Sequence, residues 1–289
     1  MQKSTLEAAL RNAGVDDPVV ADRLAYFGPA LLKVCEVARR LPEAPLPGRE
    51  RMEAALRNPA HPLLADGPVS IDPVEFEKTV REFASVLHDA AHAEGSLSDA
   101  MKAVDWTRFT TPDLVEVART RPSDYFDRVE EAAEGDDLLH YYILPVLGYA
   151  LRARLDRFAS QASAAFDRTD DVTDHDRPLA CPVCASLPDF ASVHATPKNG
   201  NVKHLHCGTC GAHWKFERIR CAACGTSAVS DLSYVHDEAD PARRLHVCKA
   251  CGAATPTFFA SGDLETFSPE VERLRMTGLE AAYEESRAQ

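Results

Sequence analysis

Eight of the nine cysteines in this sequence stand in four Cys-x-x-Cys pairs. The pairs are Cys181 with Cys184, Cys207 with Cys210, Cys221 with Cys224, and Cys248 with Cys251. A gap of two residues lets both thiolates of a tight turn point at one ion. Two such turns supply the tetrahedral four-sulfur shell that zinc favours and that mononuclear iron also accepts. The chemistry that these residues predict is therefore metal binding.

The spacing between the pairs predicts which cysteines share an ion. Between Cys184 and Cys207 lie 22 residues, and between Cys224 and Cys248 lie 23, whereas only 10 separate Cys210 from Cys221. This is an internal repeat of one four-cysteine unit. We predict two ions, one held by the first two pairs and one by the last two. Shorter loops favour this sequential pairing by only about 1 kcal/mol, so hairpin geometry must contribute most of the preference.

Glycine follows the second cysteine in three of the four turns, as Gly211, Gly225 and Gly252. Glycine adopts positive φ without strain, and that conformation lets backbone N–H groups face the sulfurs. The first turn has Ala185 at the same position. We expect the alanine to accept strain or this turn to differ.

A reducing compartment is the expected setting for these thiols. The N-terminal stretch "MQKSTLEAALRNAG" has no apolar run of signal-peptide length. The run 138–151 is too short to cross a bilayer and contains Pro145, so we predict a cytoplasmic protein without membrane insertion. Thiols stay reduced there, which favours metal ligation over disulfides. Disulfide exchange is the weaker alternative because no thioredoxin-like βαβ pattern surrounds any pair.

Charge separates the cysteine-rich part from the rest of the chain. The 289 residues carry a net charge of -13, which opposes general nucleic-acid binding. Residues 1–177 hold 21 Lys and Arg against 32 Asp and Glu, whereas residues 178–260 hold 8 against 6. Six of the eleven histidines also lie between 178 and 260. The cysteine-rich part is therefore a compositionally distinct unit.

The first half of the chain has helical periodicity. Asp17-Pro18, Asp72-Pro73 and Thr111-Pro112 are helix start signals, since the first residue can cap and proline is tolerated at the first helical position. Further helices are predicted from about 122 to 135 and from 137 to about 166, and Pro29 is expected to kink or divide the first one. We find no phosphate loop, nucleophile elbow or paired catalytic carboxylates. The sequence thus predicts no catalytic residues and a protein that is not an enzyme.

The domain organisation follows from the acidic, proline-closed stretch at 167–178. We predict an α+β protein with an all-helical domain at 1–177, two small rubredoxin-like or zinc-ribbon β modules at 178–217 and 218–260, and a C-terminal helical tail at 261–289. Flanking segments of the modules alternate as strands do.

Three stretches resemble the formate dehydrogenase accessory protein family, FdhE. They are "CPVCASLPDFASV", "LHCGTCGAHWKFERIRCAACG" and "HVCKACG". The resemblance implies a helical domain joined to two rubredoxin-like modules, and a cytoplasmic maturation factor that binds the catalytic subunit of a formate dehydrogenase. It also favours iron as the bound metal, with zinc as the alternative.

We place the partner contact on the ribbon surface. The residues predicted to form it are His204, His206, Trp214, Arg218 and Arg220. A tryptophan beside two arginines is typical of interface anchors, although Trp214 can equally well cover the small ribbon core. Two other functions compete with this one. The first is a zinc-ribbon nucleic-acid-binding regulator. The sequence lacks the dense basic clustering that such a function requires. The second is a rubredoxin-like electron-transfer protein, although no flavin or nicotinamide fingerprint accompanies the thiolates.

Overall fold

The computed structural model describes residues 2–14, 17–168, 177–196, 200–260 and 266–288. Helices occupy both ends of the chain, and a six-stranded sheet carries the cysteine pairs between them. The predicted α+β architecture is confirmed. The central part of the predicted boundary at 167–178 lies outside the described residues, and the four-part domain division stays a prediction.

Ten α-helices are present among the described residues. They are α1 Lys3–Arg11, α2 Pro18–Arg40, α3 Arg49–Arg57, α4 Pro73–Ala91, α5 Gly95–Ala103, α6 Pro112–Thr120, α7 Pro122–Ala132, α8 Leu144–Phe166, α9 Pro269–Arg275 and α10 Thr277–Ala288. Short 3-10 segments lie at Leu63–Asp66, Trp106–Phe109 and Val229–Asp231. No helix within these ranges is both long and apolar enough to cross a bilayer.

Local capping explains three helix starts that the sequence predicted. The Asp17 carboxylate accepts a hydrogen bond from the Val19 N–H at 2.8 Å and begins α2. Asp72 accepts from the N–H groups of residues 74 and 75, and Thr111 accepts from Leu114. Each side chain satisfies backbone donors that the first helical turn leaves unpaired. The helices α1, α3 and α5 lack side-chain caps and were not predicted.

Two prolines, Pro29 and Pro145, affect their helices in ways that the sequence did not predict. Pro29 was expected to kink or divide α2; the helix runs unbroken through it, so division is wrong. Packing of α2 against α4 and α8 offsets the one missing helical bond. Before α8, a π-helical turn spans Leu139–Ile143. Pro145 has no N–H for the Tyr141 carbonyl, which instead accepts from the Tyr26 hydroxyl at 3.2 Å.

The main hydrophobic core has α8 at its centre. Leu151 and Leu155 are fully buried, and Phe158 is nearly so. The same cluster continues without interruption into the first ribbon, where it includes Cys181 and Trp214. The first four-cysteine unit therefore packs as part of the helical core.

The strands form a single sheet. They are β1 Phe190–Thr196, β2 Gly200–His206, β3 His213–Phe216, β4 Leu232–Val235, β5 Arg243–Cys248 and β6 Ala254–Ala260. Their order is β3-β2-β1-β6-β5-β4. Each repeat supplies three antiparallel strands, and the two repeats meet where β1 pairs parallel to β6. This pairing turns two sequence repeats into one continuous surface.

Candidate metal centres

The first four-cysteine group lies inside the protein. The Sγ atoms of Cys181 and Cys210 are 3.6 Å apart, and those of Cys184 and Cys207 are 3.4 Å apart. All four sulfurs lie within 4.8 Å of one another, and none of the four residues is more than 2% exposed. This group joins the two cysteine pairs of the first repeat.

The second group has similar spacing but faces solvent. Cys221 and Cys251 have sulfurs 3.7 Å apart, and Cys224 and Cys248 have sulfurs 3.8 Å apart. Cys224 and Cys251 are exposed. It joins the two pairs of the second repeat, and Cys181 and Cys221 fall in different groups.

These distances fit metal-thiolate shells. A tetrahedral ion with bonds of about 2.3 Å to sulfur separates its ligands by about 3.8 Å. A disulfide requires about 2.05 Å, and all nine cysteines are unbridged. Each group could therefore hold one ion, and the donor set suits zinc and iron equally.

One hydrogen-bond pattern repeats at all four turns. The first cysteine of each turn accepts, through its carbonyl, from the N–H four residues later, at 2.8–3.1 Å. Its own N–H donates to the carbonyl five residues later, at 2.9 Å in every case. This closed loop fixes the two thiols of a pair on the same side of the turn.

The residue after the second cysteine has positive φ in all four turns. Gly211, Gly225 and Gly252 have φ of 87°, 78° and 77°, and Ala185 has φ of 65°. The expectation that the alanine accepts strain is confirmed. A left-handed conformation costs a residue with a Cβ about 1–2 kcal/mol.

The first turn of the first centre is attached to the helical part. The N–H groups of Leu63 and Leu64 donate to the carbonyls of Pro182 and Val183 at 3.0 and 2.9 Å. These backbone bonds hold the Cys181–Cys184 turn on the 3-10 segment Leu63–Asp66. Among the described residues, no backbone hydrogen bond joins a cysteine turn of the second centre to a helix of the N-terminal part.

Two glycines of "CGTCG" leave space for charged side chains. A Cβ at Gly208 would lie 2.4 Å from the Asp189 carboxylate, and one at Gly211 would lie 2.4 Å from the Arg152 guanidinium. Real Cβ contacts are essentially never this short, so a larger residue at either position would have to displace the charged side chain. The sequence indicated the φ requirement at Gly211 but not this close approach.

Arg152 links the helical core to the second turn of the first centre. It donates to the carbonyls of Cys207 and Gly208 at 3.3 and 3.0 Å. It also pairs with Glu270 at 2.7 Å and Asp156 at 3.3 Å. Burial opposes its charge, but these two carboxylates outweigh burial and raise the pKa of Arg152.

The thiols of the first centre require a cation to ionise together. Burial raises the pKa of Cys181 well above its ordinary value, and the three neighbouring thiols raise it further. Four thiolates without a counter-charge would repel one another in a low-dielectric interior. A bound divalent ion would supply the missing positive charge.

A buried lysine approaches the second centre from the first repeat. Lys203, on β2, is 1% exposed, and its ammonium donates to the Arg220 carbonyl at 3.4 Å. Burial lowers the pKa of Lys203 to about 8, while the nearby Cys221 opposes that change. The residue therefore brings a positive charge towards the thiolates of the other module.

The predicted partner residues have unequal exposure, and all five lie among the described residues. Trp214 is fully buried and donates from its indole N–H to the Pro178 carbonyl at 3.0 Å, so its predicted role as a surface anchor is corrected. It covers the ribbon core because alternation along β3 points it inwards. His204 and His206 are partly buried on the sheet face. Among the five, Arg218 alone is exposed.

Arg220 has a structural role that the sequence did not reveal. Its guanidinium donates to the carbonyls of Gly225 at 3.2 Å and Arg177 at 3.0 Å, and it pairs with Glu217 at 2.9 Å. These bonds join the third cysteine turn to the chain before the first one. Loss of this side chain would therefore disturb the modules themselves.

An exposed patch on the second module was missed by the sequence reasoning. Ile219 is 56% exposed and Tyr234 is 39% exposed. The Arg244 guanidinium lies 5.9 Å from the Tyr234 ring centroid and 4.4 Å from that of Phe259. Arg218 acts electrostatically on the Tyr234 hydroxyl. Burial along Leu232–Val235 does not alternate, so no local pattern marked Tyr234 as exposed.

Comparison with known proteins finds a family match in the first module. Residues 180–218 match the model described as FdhE, central domain. This confirms the family resemblance predicted from the cysteine turns and the block around Trp214.

Two curated FdhE homologs extend the similarity beyond that domain. The protein FdhE homolog of Edwardsiella ictaluri is 34% identical over 84 residues, which are 29% of this chain and 26% of that protein. The homolog of Yersinia pestis (strain Pestoides F) is 32% identical over 93 residues, 32% of this chain and 28% of that protein. The chain thus spans about a quarter of the length of the curated relatives that it matches.

The whole fold matches a solved FdhE structure. The crystal structure of the FdhE protein from Pseudomonas aeruginosa superposes with a TM-score of 0.54 and 16% sequence identity. The match covers 99% of this chain and 93% of that one. The helical part, the sheet and the C-terminal helices therefore share the arrangement of an FdhE protein.

Proposed function

We propose that this protein is a non-enzymatic accessory factor that binds the catalytic subunit of a formate dehydrogenase in the cytoplasm and assists its maturation. The observation that carries the proposal is the match of residues 180–218 to the family model of the FdhE central domain. The shared fold over 99% of the chain supports it.

The eight cysteines hold two metal ions in this proposal. Cys181, Cys184, Cys207 and Cys210 bind one, and Cys221, Cys224, Cys248 and Cys251 bind the other. A structural four-cysteine ion supplies an apparent ~10–16 kcal/mol of folding free energy, which a small module with little apolar core requires. The first ion also stabilises the helical core, since its ligands belong to the same buried cluster.

We place the partner contact on the second module, around Arg218, Ile219, Tyr234 and Arg244. Tyrosine and arginine are enriched among the residues that dominate binding free energy, because each combines a large contact area with polar groups. Tyr234 is stacked against His246 at 4.8 Å between ring centroids, so little conformational entropy remains to be lost on binding. Arg218 and Ile219 add an exposed charge and an exposed apolar side chain beside it.

The test is a pull-down with the double variant Arg218→Ala and Ile219→Ser. Both side chains are exposed, so both metal ions should stay bound while recovery of the formate dehydrogenase catalytic subunit falls at least tenfold. A matched control is Arg57→Ala with Val74→Ser, an exposed arginine and a 62% exposed valine on the helical part. Equal recovery by the two double variants would place the contact elsewhere, and no recovery by the unmodified protein would contradict the proposed function.

Electron transfer is a second candidate because the second centre exposes Cys224 and Cys251. Exposed ligand sulfurs shorten the path to a redox partner. If this function holds, the purified protein will contain iron that is reduced and reoxidised reversibly without metal loss. Zinc at both centres would exclude it.

A further inference from the structure

Four histidines cluster on one face of the first module. His204 and His206 lie two residues apart on β2, so they point to the same face, and His206 pairs directly with His213 on β3. His194 on β1 completes the group. Neighbouring rings are 5.6–6.2 Å apart between centroids. These four account for most of the histidines that the sequence concentrates in the cysteine-rich part.

A carboxylate from the end of α8 bridges two of these rings. One oxygen of Asp167 lies 3.3 Å from the Nε2 atom of His204, and the other lies 3.3 Å from that of His213. Burial opposes ionisation, but the contacts with the two histidines outweigh it and lower the pKa of Asp167.

Independent contacts hold the backbone of this group. The Lys215 ammonium donates to the main-chain carbonyl of Asp167 at 2.8 Å. The His213 N–H donates to the Ser163 hydroxyl at 2.8 Å. Both bonds fix α8 against β3, so the three side chains start from rigid elements, as preorganised sites require.

The cluster opens onto a cavity of about 360 Å³. The side chains of His213 and Asp167 are 36% and 38% exposed, and that of His204 is 16% exposed. Deeper in the cavity, His194 is 9% exposed, and its Nδ1 atom has no hydrogen-bond partner. Solvent can therefore reach the Asp167 end, while an imidazole nitrogen remains unpaired further inside.

We propose that His204, His213 and Asp167 form a third metal site, which binds a divalent transition-metal ion such as Zn²⁺ or Co²⁺ through nitrogen and oxygen. Imidazole and carboxylate are ligands that such ions accept, with bonds of about 2.0–2.2 Å. Neighbouring ligands then lie about 3.3–3.5 Å apart in a tetrahedron, close to the two 3.3 Å contacts observed.

Metal binding at this site requires side-chain rotation. The Nε2 atoms contact different carboxylate oxygens, and the His204 and His213 centroids are 5.6 Å apart. Rotation of the partly exposed Asp167 side chain can present one oxygen to both rings. Three protein ligands leave further coordination positions for water, which the exposure of the site permits.

Cobalt titration of untagged protein tests the site. The two cysteine centres are first filled and quantified by metal analysis, and Co²⁺ is then added. We expect a third equivalent with weak d–d absorption and without the sulfur-to-cobalt charge transfer of thiolate sites. Proton NMR of the same sample should show two exchangeable, paramagnetically shifted imidazole N–H resonances. This measurement needs no variant and is independent of partner binding.

Variants assign the ligands. Asp167→Asn should weaken the third equivalent about 10–100-fold, and His204→Gln with His213→Gln should abolish it, while two equivalents stay at the cysteines. His236→Gln is the matched control, because this exposed histidine lies outside the cluster. Saturation of the unmodified protein at two equivalents would overturn the proposal. So would a third equivalent that survives in the double histidine variant.

Discussion

The substitution Gly211→Ala tests how the first metal centre is joined to the helical core. Gly211 has φ of 87°, so alanine there adopts a left-handed conformation. The new Cβ would also lie 2.4 Å from the Arg152 guanidinium. Both effects act one residue from the Cys210 ligand.

The expected loss of stability follows from these two contributions. Left-handed strain costs about 1–2 kcal/mol. Displacement of Arg152 breaks a buried pair network, because this side chain is 8% exposed and bonded to Asp156, Glu270 and two carbonyls. Breaking a buried ion pair costs about 3–5 kcal/mol. The free energy of unfolding should therefore fall by about 4–7 kcal/mol in total.

Equivalent positions in the other turns provide matched controls. A Cβ at Gly252 would meet only Arg287, at 3.8 Å, so Gly252→Ala should show the strain alone, about 1–2 kcal/mol. Ala185 already has φ of 65°, and Ala185→Gly should relieve strain and stabilise the protein by about 0.5–1 kcal/mol after the entropy cost of glycine. The three changes affect the same structural position.

Urea denaturation of metal-loaded protein measures these differences, with metal release to a chelator as a second readout. Gly211→Ala should lose the ion of the first centre fastest. Similar losses of unfolding free energy in Gly211→Ala and Gly252→Ala would show that Arg152 moves aside at no cost. In that case the guanidinium network would not stabilise the centre.

Two further predictions concern acid stability and the two cysteine centres. Burial, followed by the neighbouring His204 and His213, lowers the pKa of His194 to about 4, whereas an unfolded histidine titrates near 6.5. The unfolded state thus binds more protons between these values, and stability should fall by about 3 kcal/mol as pH drops from 6.5 to 4. His194→Gln should flatten that part of the pH profile, and an unchanged slope would contradict the assignment. Cys207→Ser should reduce helical circular dichroism cooperatively because the first centre shares the helical core. Cys224→Ser, at the exposed centre, should release metal but leave the helical signal intact. The free energy of unfolding of the helical part should change by no more than about 1 kcal/mol. An equal loss of helical signal in Cys207→Ser and Cys224→Ser would refute this difference between the two centres.

The sequence by itself determined the features that depend on neighbours along the chain. Asp17, Asp72 and Thr111 cap their helices because the donors they satisfy lie two or three residues away. The two-residue gap between paired cysteines, and the left-handed residue after each pair, likewise depend on one turn of backbone. The strain at Ala185 could be inferred for the same reason.

Only the tertiary structure decided which distant groups meet. Alternation in β3 showed which residues share a face with Trp214, but not that α8 and the first cysteine turn bury that face. The approach of Arg152 to Gly211 spans 59 positions, and no local pattern encodes it. The same holds for Asp167 between two histidines of different strands. The parallel pairing of β1 with β6 joins residues more than 60 positions apart, because strand registry is settled by packing across the whole sheet.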